Sequence, residues 1–333
     1  MTLELAVAGA MFAGVIAYAL FGGADFGSGF FDLTAGGARD GAALRSLVDH
    51  SIGPVWEANH VWLIYVLVTW WTGFPQSFAS AMSTLILPLL LALLGIVLRG
   101  ASFAFRKFAP TLGQARLFGV VFAGSSVITP FFLGTVAGAI ASGRVPATGR
   151  GDLWSSWLNP TSLLGGMIAV GTCAFLAGVF LCADAARAGR EELSAGLRRR
   201  TLVVGLVTGA VVLAALVPLQ RDAPTLADGL MSRAAPLVVL SALSGLATLA
   251  LVARRRYAIA RVTALLAVAS VVAGWGVAQY PWLLVDEVTI AEAAGADATL
   301  VGLLVAAGLA VVVVLPPLAY LFRLTQTQEW AAR

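Results

Sequence analysis

The chain has 333 residues, 59% hydrophobic and 11% charged, with a mean hydropathy of +0.91 and a formal net charge of +4. Soluble domains carry about 25% charged residues, so there is too little polar material to cover a water-soluble globule, and so apolar a chain would collapse rather than stay disordered. The 21 basic residues sit between apolar blocks and form no stripe with interleaved aromatics, which excludes a nucleic-acid surface and fits the excess of Lys and Arg beside membrane spans.

Crossing about 30 Å of hydrocarbon takes about 20 helical residues. Charge-free windows run over 5–24, 61–98, 117–143, 153–183, 201–220, 234–253, 262–285 and 298–322. The first follows Glu4 with no basic n-region and has the length of a span, so no cleavable signal peptide is expected. The second holds 38 residues and is interrupted by Gly73-Phe74-Pro75-Gln76-Ser77, a turn signal that makes it a helical hairpin. Each of the other windows holds one helix. The expected fold is an all-α polytopic membrane protein with nine transmembrane helices. A barrel is excluded, because barrel strands alternate over about ten residues and these runs do not.

The connections leave no room for a second soluble domain, so residues 1–333 form one integral-membrane domain. The first window ends Ala24-Asp25 and the fifth ends Ala183-Asp184. This echo predicts a weak repeat between 1–141 and 153–282, giving two four-helix units and one peripheral helix. Seventeen Lys and Arg fall in the connections of one side and four, Arg144, Arg150, Arg221 and Arg233, on the other. The positive-inside rule then sets the N-terminus outside and the C-terminus in the cytoplasm.

Ionisable residues within membrane spans are costly and are therefore functional candidates. The richest segment is Asp49-His50-Ser51-Ile52-Gly53-Pro54-Val55-Trp56-Glu57-Ala58-Asn59-His60-Val61-Trp62, which opens the second helix. Pro54 suits a first helical turn, and Glu57 lies near the positive end of the helix dipole. Helical spacing puts Trp56, Asn59 and His60 on roughly one face. Asp25 follows twenty charge-free residues within Gly22-Gly23-Ala24-Asp25-Phe26-Gly27-Ser28-Gly29, where glycines permit close helix approach. Asp25 and Glu57 at cytoplasmic depth on adjacent helices are the carriers that a proton-uptake path needs. Arg99 ends a long apolar run; it either snorkels to the interface or pairs with an intramembrane carboxylate or a cofactor.

Other chemistries lack their residues. There is no CxxC, CxxCH, HExxH, phosphate loop or G-x-S-x-G. Cys173 and Cys182 read as small buried hydrophobes. The two histidines, His50 and His60, lie near one face, so a haem ligated wholly within this chain is not expected. No metal site and no catalytic residue of its own are read from the chain.

The run Ala24-Asp25-Phe26-Gly27-Ser28-Gly29, the element Ser51-Ile52-Gly53-Pro54-Val55-Trp56-Glu57-Ala58-Asn59-His60-Val61-Trp62-Leu63-Ile64, and Arg99 after an apolar helix resemble subunit II of the cytochrome bd-type quinol oxidases. The match is densest over residues 22–106. The resemblance implies a heterodimer with subunit I, which carries b-type and d-type haems, oxidises quinol and reduces oxygen to water in the plasma membrane of a prokaryote. It implies that subunit II binds no haem and helps draw protons from the cytoplasm. Asp25 and Glu57 match the family's acids, and Trp56, Asn59 and Trp62 match as supporting positions. The family more often has Asp-Gly where Glu57-Ala58 stands, and Gln or Glu where His60 stands. His60 adds a second group that titrates near neutral pH. The alternative reading is a proton-coupled secondary transporter using Asp25, Glu57 and Arg99, although such transporters cluster polar groups at the membrane midplane and these acids lie toward the cytoplasmic edge.

Overall fold

The computed structural model describes residues 2–37, 39–52 and 56–325, without the side chains of Ile52, Lys107, Leu112, Phe322 and Thr325. Gly53, Pro54 and Val55, including the proline expected in a first helical turn, lie outside the described residues, as does Arg333.

The chain opens with a rod, Leu3–Leu33. It consists of α1 (Leu3–Ala17), a π-helical segment (Tyr18–Gly22) and α2 (Gly23–Leu33). A short helix α3 (Ala42–Ile52) follows, then α4 (Trp56–Gly73), α5 (Pro75–Thr84), α6 (Ile86–Lys107) and α7 (Leu112–Ala141). The second half holds α8 (Pro160–Arg187), α9 (Glu191–Asp222), α10 (Pro224–Met231), α11 (Ala235–Ala253) and α12 (Tyr257–Gln279). A small antiparallel hairpin of β1 (Trp282–Leu284) and β2 (Val288–Thr289) leads into α13 (Ile290–Ala293), α14 (Asp297–Val313) and α15 (Leu315–Thr325).

Among the described residues eight helical runs are long and apolar enough to cross a membrane: Leu3–Leu33, Ile86–Arg106, Gly113–Ala141, Pro160–Arg187, Glu191–Asp222, Ala235–Ala253, Tyr257–Gln279 and Asp297–Leu321. The protein is a multi-pass membrane protein. The expected helical hairpin over 61–98 is present only in part, because its second arm is divided at Leu85 into α5 and α6. Its first arm, α4, has 18 residues but stands apart from the eight, because Glu57, Asn59 and His60 crowd its first turns and lower its hydropathy. The hairpin turns where sequence places the break: Phe74 leaves the helical region and Pro75 restarts the chain at the first turn of α5.

Helix boundaries differ from the charge-free windows, and two of the differences fall at acids. Asp25 does not end its helix, which runs on to Leu33, and α8 continues past Asp184 to Arg187. A charge ends a charge-free window, but it does not end a helix whose neighbours can satisfy it.

The helix α8 is the centre of the bundle: 61% of its span is buried, against 6% for Glu191–Asp222 and for Asp297–Leu321. It starts on an Asn159 cap, whose side chain accepts from the Ser162 N–H at 2.9 Å, with Pro160 in the first turn. Just before it, the Ser155 and Trp154 backbone N–H groups bind the Asp152 carboxylate and hold it below the usual carboxylate range.

The α2 segment lies against α7 and α8 because its glycines leave nothing in the way. A Cβ on Gly27 would stand 1.8 Å from the Cys173 carbonyl oxygen, and one on Gly29 would stand 2.2 Å from Ser126 Cβ. This is small-residue packing of the kind that holds helices together in lipid. Cys173 and Cys182 are buried free thiols in this core.

Five of the six ion pairs among the described residues lie at the arginine-rich end. Asp32, 3% exposed, accepts from Arg45 Nε at 2.9 Å and from Arg106 Nη1 at 2.6 Å. Arg106 also pairs with Asp49. Asp184 pairs with Arg187 and Arg261 and accepts from Ser51 Oγ at 2.9 Å. The short helix α3 is thereby tied to α2, α6 and α8 at once. The sixth pair, Arg144–Asp222, closes the opposite end.

The Gly27 contact generates a test. Gly27→Ala should destabilise the protein by about 1–3 kcal/mol or more, the cost of overpacking, because the obstacle is backbone and cannot swing away. Thermal unfolding in detergent should show the loss; an unchanged midpoint would mean that α2 and α8 are not in contact.

Candidate functional site

The π-helical segment Tyr18–Gly22 interrupts the first rod just before Asp25. Such insertions occur frequently at functional sites. Here it lays the Tyr18 ring over Gly22, where a Cβ would come within 2.9 Å of Tyr18 Cε2. Three residues on, Asp25 is 7% exposed. The Asn59 amide donates to Asp25 Oδ2 at 2.5 Å and approaches the Phe21 carbonyl at 3.4 Å. Ser28 Oγ donates to the Asp25 backbone carbonyl at 2.5 Å.

Arg99 faces this carboxylate from α6. Its side chain does not snorkel: the residue is 2% exposed and α6 continues to Lys107. Arg99 Nε donates to Ser126 Oγ at 3.1 Å, and its guanidinium lies 4.9 Å from the Phe26 ring centroid and 5.3 Å from that of Phe122. Asp25 and Arg99 act on each other electrostatically but form no ion pair within 4 Å among the described residues. A buried acid and a buried base thus balance in charge without touching. Their remaining surroundings are polar and unsatisfied: Arg99 Nη2, Asn59 Oδ1, His60 Nδ1, Tyr18 Oη and Trp62 Nε1 are buried without a protein hydrogen-bond partner.

The sequence-predicted residues divide. Asp25, Asn59, His60, Trp56 and Arg99 converge. The His60 ring sits 6.1 Å from Tyr18, 6.0 Å from Phe26 and 6.4 Å from Trp56. Trp56 reaches Phe103 at 5.6 Å and lies over Gly100. Trp62 stacks on Phe21 at 6.3 Å, one turn further along α4. Glu57 does not join them: it is exposed at the start of α4, on the outside of the cluster.

Sequence reasoning missed Tyr18, Ser126 and Phe122. The signal for Ser126 is the Ser125-Ser126 pair inside the charge-free window 117–143. Tyr18 offers only a phenol in an apolar run, and its role follows from the π segment. Phe122 lies between two guanidiniums, Arg99 at 5.3 Å and Arg106 at 4.9 Å.

Haem iron is held by axial His, Met or Cys. His60 is enclosed by three aromatic rings, and His50 stands on α3 rather than opposite it. No group of three His, Cys, Asp or Glu could hold a metal ion among the described residues. These residues do not fit a haem held within this chain alone. They form a buried carboxylate beside fixed hydrogen-bonding groups.

The fold and the site together define a multi-pass membrane protein with a buried acid–base cluster among its helices. The chain belongs to the family of the cytochrome bd terminal oxidase subunit II, whose sequence profile matches residues 3–325. It is similar to the cytochrome bd ubiquinol oxidase subunit 2 of Bacillus subtilis (strain 168), at 30% identity over 132 residues, 39% of each chain. It is also similar to the cytochrome bd-I ubiquinol oxidase subunit 2 of Escherichia coli (strain K12), at 29% identity over 167 residues, 47% of this chain and 42% of that one. These alignments span about two fifths of the length of the curated relatives. The structure of the bd oxidase from Geobacillus thermodenitrificans matches with a TM-score of 0.83 and 25% identity, covering 98% of this chain and 99% of the matched chain.

The charge balance at the site has a measurable consequence. Arg99→Gln should destabilise the protein more than the double variant Arg99→Gln/Asp25→Asn, because the single change leaves a buried carboxylate uncompensated. The coupling should be about 0.5–3 kcal/mol in a thermodynamic cycle. Strict additivity would show that the two groups do not sense each other.

Proposed function

We propose that this chain is the haem-free subunit II of a cytochrome bd-type quinol oxidase in a prokaryotic plasma membrane. It supports the four-electron reduction of oxygen to water by quinol in a haem-bearing subunit I, with which it forms a heterodimer within the lipid bilayer. The b-type and d-type haems belong to that partner in this reading. The family membership favours the oxidase over the proton-coupled transporter.

The reading includes a topology. The α4 helix is the ninth membrane helix, the N-terminus is outside and the C-terminus is in the cytoplasm. The 17-to-4 division of basic residues supports this. The weak repeat relating 1–141 and 153–282 would make α14 and α15 the peripheral addition, in keeping with their 6% burial.

The chain's own chemical contribution is a proton-uptake path. The observation that carries it is Asp25, a buried acid hydrogen-bonded by Asn59 and faced by Arg99. Glu57, exposed in the first turn of α4, collects protons. Asp25 receives them through the polar groups between. Asn59 fixes the position of the Asp25 carboxylate through its amide. His60, Trp56 and Trp62 shape the enclosure.

Two experiments test this. Reporter fusions after residues 110 and 195 should read cytoplasmic and those after 150 and 290 external; an external signal at 195 would overturn the orientation. In the purified complex, identified by haem bands arising from a co-purified second membrane chain, Asp25→Asn should slow oxygen turnover on the order of 10²-fold, the lower range for loss of a positioned proton carrier. Haem content should remain normal. Glu57→Gln should slow turnover less and Glu57→Asp least. If Asp25→Asn and Glu57→Gln both left turnover unchanged from pH 6 to 9, a purely structural role would replace the relay.

A further inference from the structure

Three helices end on the same hydrogen-bonded cap, in which the last residue is left-handed and two N–H groups turn back onto the final carbonyls. After α7, Gly143 (φ 65°) and Arg144 donate to the Ile140 and Ala139 carbonyls. After α8, Gly189 (φ 69°) and Arg190 donate to those of Ala186 and Ala185. After α11 the same two bonds run from Arg255 and Arg256 to Val252 and Leu251, but the left-handed residue is Arg255, with φ 60°. A side chain with a Cβ is disfavoured there and glycine is not. The chain uses glycine at two such corners and an arginine at the third.

That arginine is the middle of Arg254-Arg255-Arg256, all exposed at the boundary between the apolar run of α11 and the start of α12. The Ser194 hydroxyl lies 3.3 Å from the Tyr257 hydroxyl, and a Cβ on Gly205 would meet Leu249 Cδ2 at 2.7 Å. These contacts align α9 antiparallel to α11 and bring Arg199 to the level of Arg254. Arg199 is exposed as well. None of these four guanidiniums joins an ion pair among the described residues. The other charged groups nearby are accounted for. Arg200 donates to the Thr34 carbonyl at 3.2 Å, Arg198 is half-buried, and Arg261 is paired with Asp184. Glu191 and Glu192 are exposed seven or more residues further out along α9, about 10 Å toward water at helical rise. Toward the membrane, the faces below the arginines are apolar and exposed: Val203 at 54%, Leu206 at 63%, Leu246 at 64%, Ile259 at 53% and Val262 at 64%.

We propose that the Arg254-Arg255-Arg256 turn, together with Arg199, binds the phosphodiester headgroup of an anionic phospholipid whose acyl chains lie on the apolar faces of α9, α11 and α12. Guanidiniums suit this ligand because their forked donors match phosphate oxygens, and basic residues at this depth meet the charged headgroup layer. Topology alone does not require the strained residue: Arg199, Arg254 and Arg256 would retain the basic asymmetry with a glycine at 255. The proposal does not depend on the oxidase reading.

The test uses the chain in its native membrane complex, released from bilayers of equal phosphatidylglycerol and phosphatidylcholine, with retained lipid counted by native mass spectrometry. The wild type should retain phosphatidylglycerol preferentially. Arg255→Gly should cut that preference about fivefold while leaving the melting temperature unchanged or higher, since the strain is relieved. Arg254→Gln/Arg255→Gly/Arg256→Gln should abolish it. Millimolar pyrophosphate, which has the phosphate chemistry without acyl chains, should not displace the lipid; displacement would make this a soluble-phosphate site and overturn the proposal. An unchanged preference in Arg255→Gly, or in the triple variant where it assembles, would also overturn it.

Discussion

The closeness of α2 to α8 governs what the rest of the molecule can do. At Gly27 the two backbones meet with no side chain between them. In lipid, where apolar burial gives no net drive to association, such contact supplies dispersion over a long seam. It also fixes the depth of everything else on α2. Asp25 lies two residues before the contact and Asp32 five residues after it, so both carboxylates are carried into the bundle rather than left at its edge. A larger residue at 27 would move the acids as well as the helix.

Buried charge is then handled by repetition. Asp25 and Asp32 are seven residues apart on α2, and Arg99 and Arg106 are seven apart on α6. Two turns of helix separate each pair, so the two acids meet the two bases at corresponding levels. Phe122 fills the space between the guanidiniums and offers each a ring face, a contact that gains strength when desolvated. The rungs differ in kind. Asp32 is tightly bonded to two arginines and is a structural tie. Asp25 has one amide donor and a base held out of contact. The same chemistry at two depths serves anchoring at one and, in the reading favoured here, conduction at the other.

Much of this was legible in the residues. Charge-free windows located the membrane helices, and the Gly-Phe-Pro turn placed the hairpin break. Asp25, Asn59, His60 and Arg99 stood out because polar groups in apolar runs are costly. Helix ends were less legible: Asp25 and Asp184 looked like termini, yet Asn59, Arg187, Arg261 and Ser51 satisfy them and their helices continue. The direction of a side chain was also beyond the pattern. Glu57 neighbours Trp56 in sequence but sits about 100° round the helix, and there it faces away from the cluster. Tyr18 joined the site only through a π-helical register that hydrophobic periodicity does not reveal.

The burial of α2 against α7 and α8 also bears on biogenesis. The first rod is complete at Leu33, but its central packing partner begins at Pro160, 127 residues later. At about 5–20 residues per second of synthesis, the rod waits about 6–25 s in the membrane before α8 exists. Throughout that interval the glycine seam is open to lipid or to a membrane chaperone, while Asn59, Arg45 and Arg106, the partners of Asp25 and Asp32, are made before it ends. The rate of helix insertion therefore governs how long the glycine face of α2 stays open before its central partner arrives.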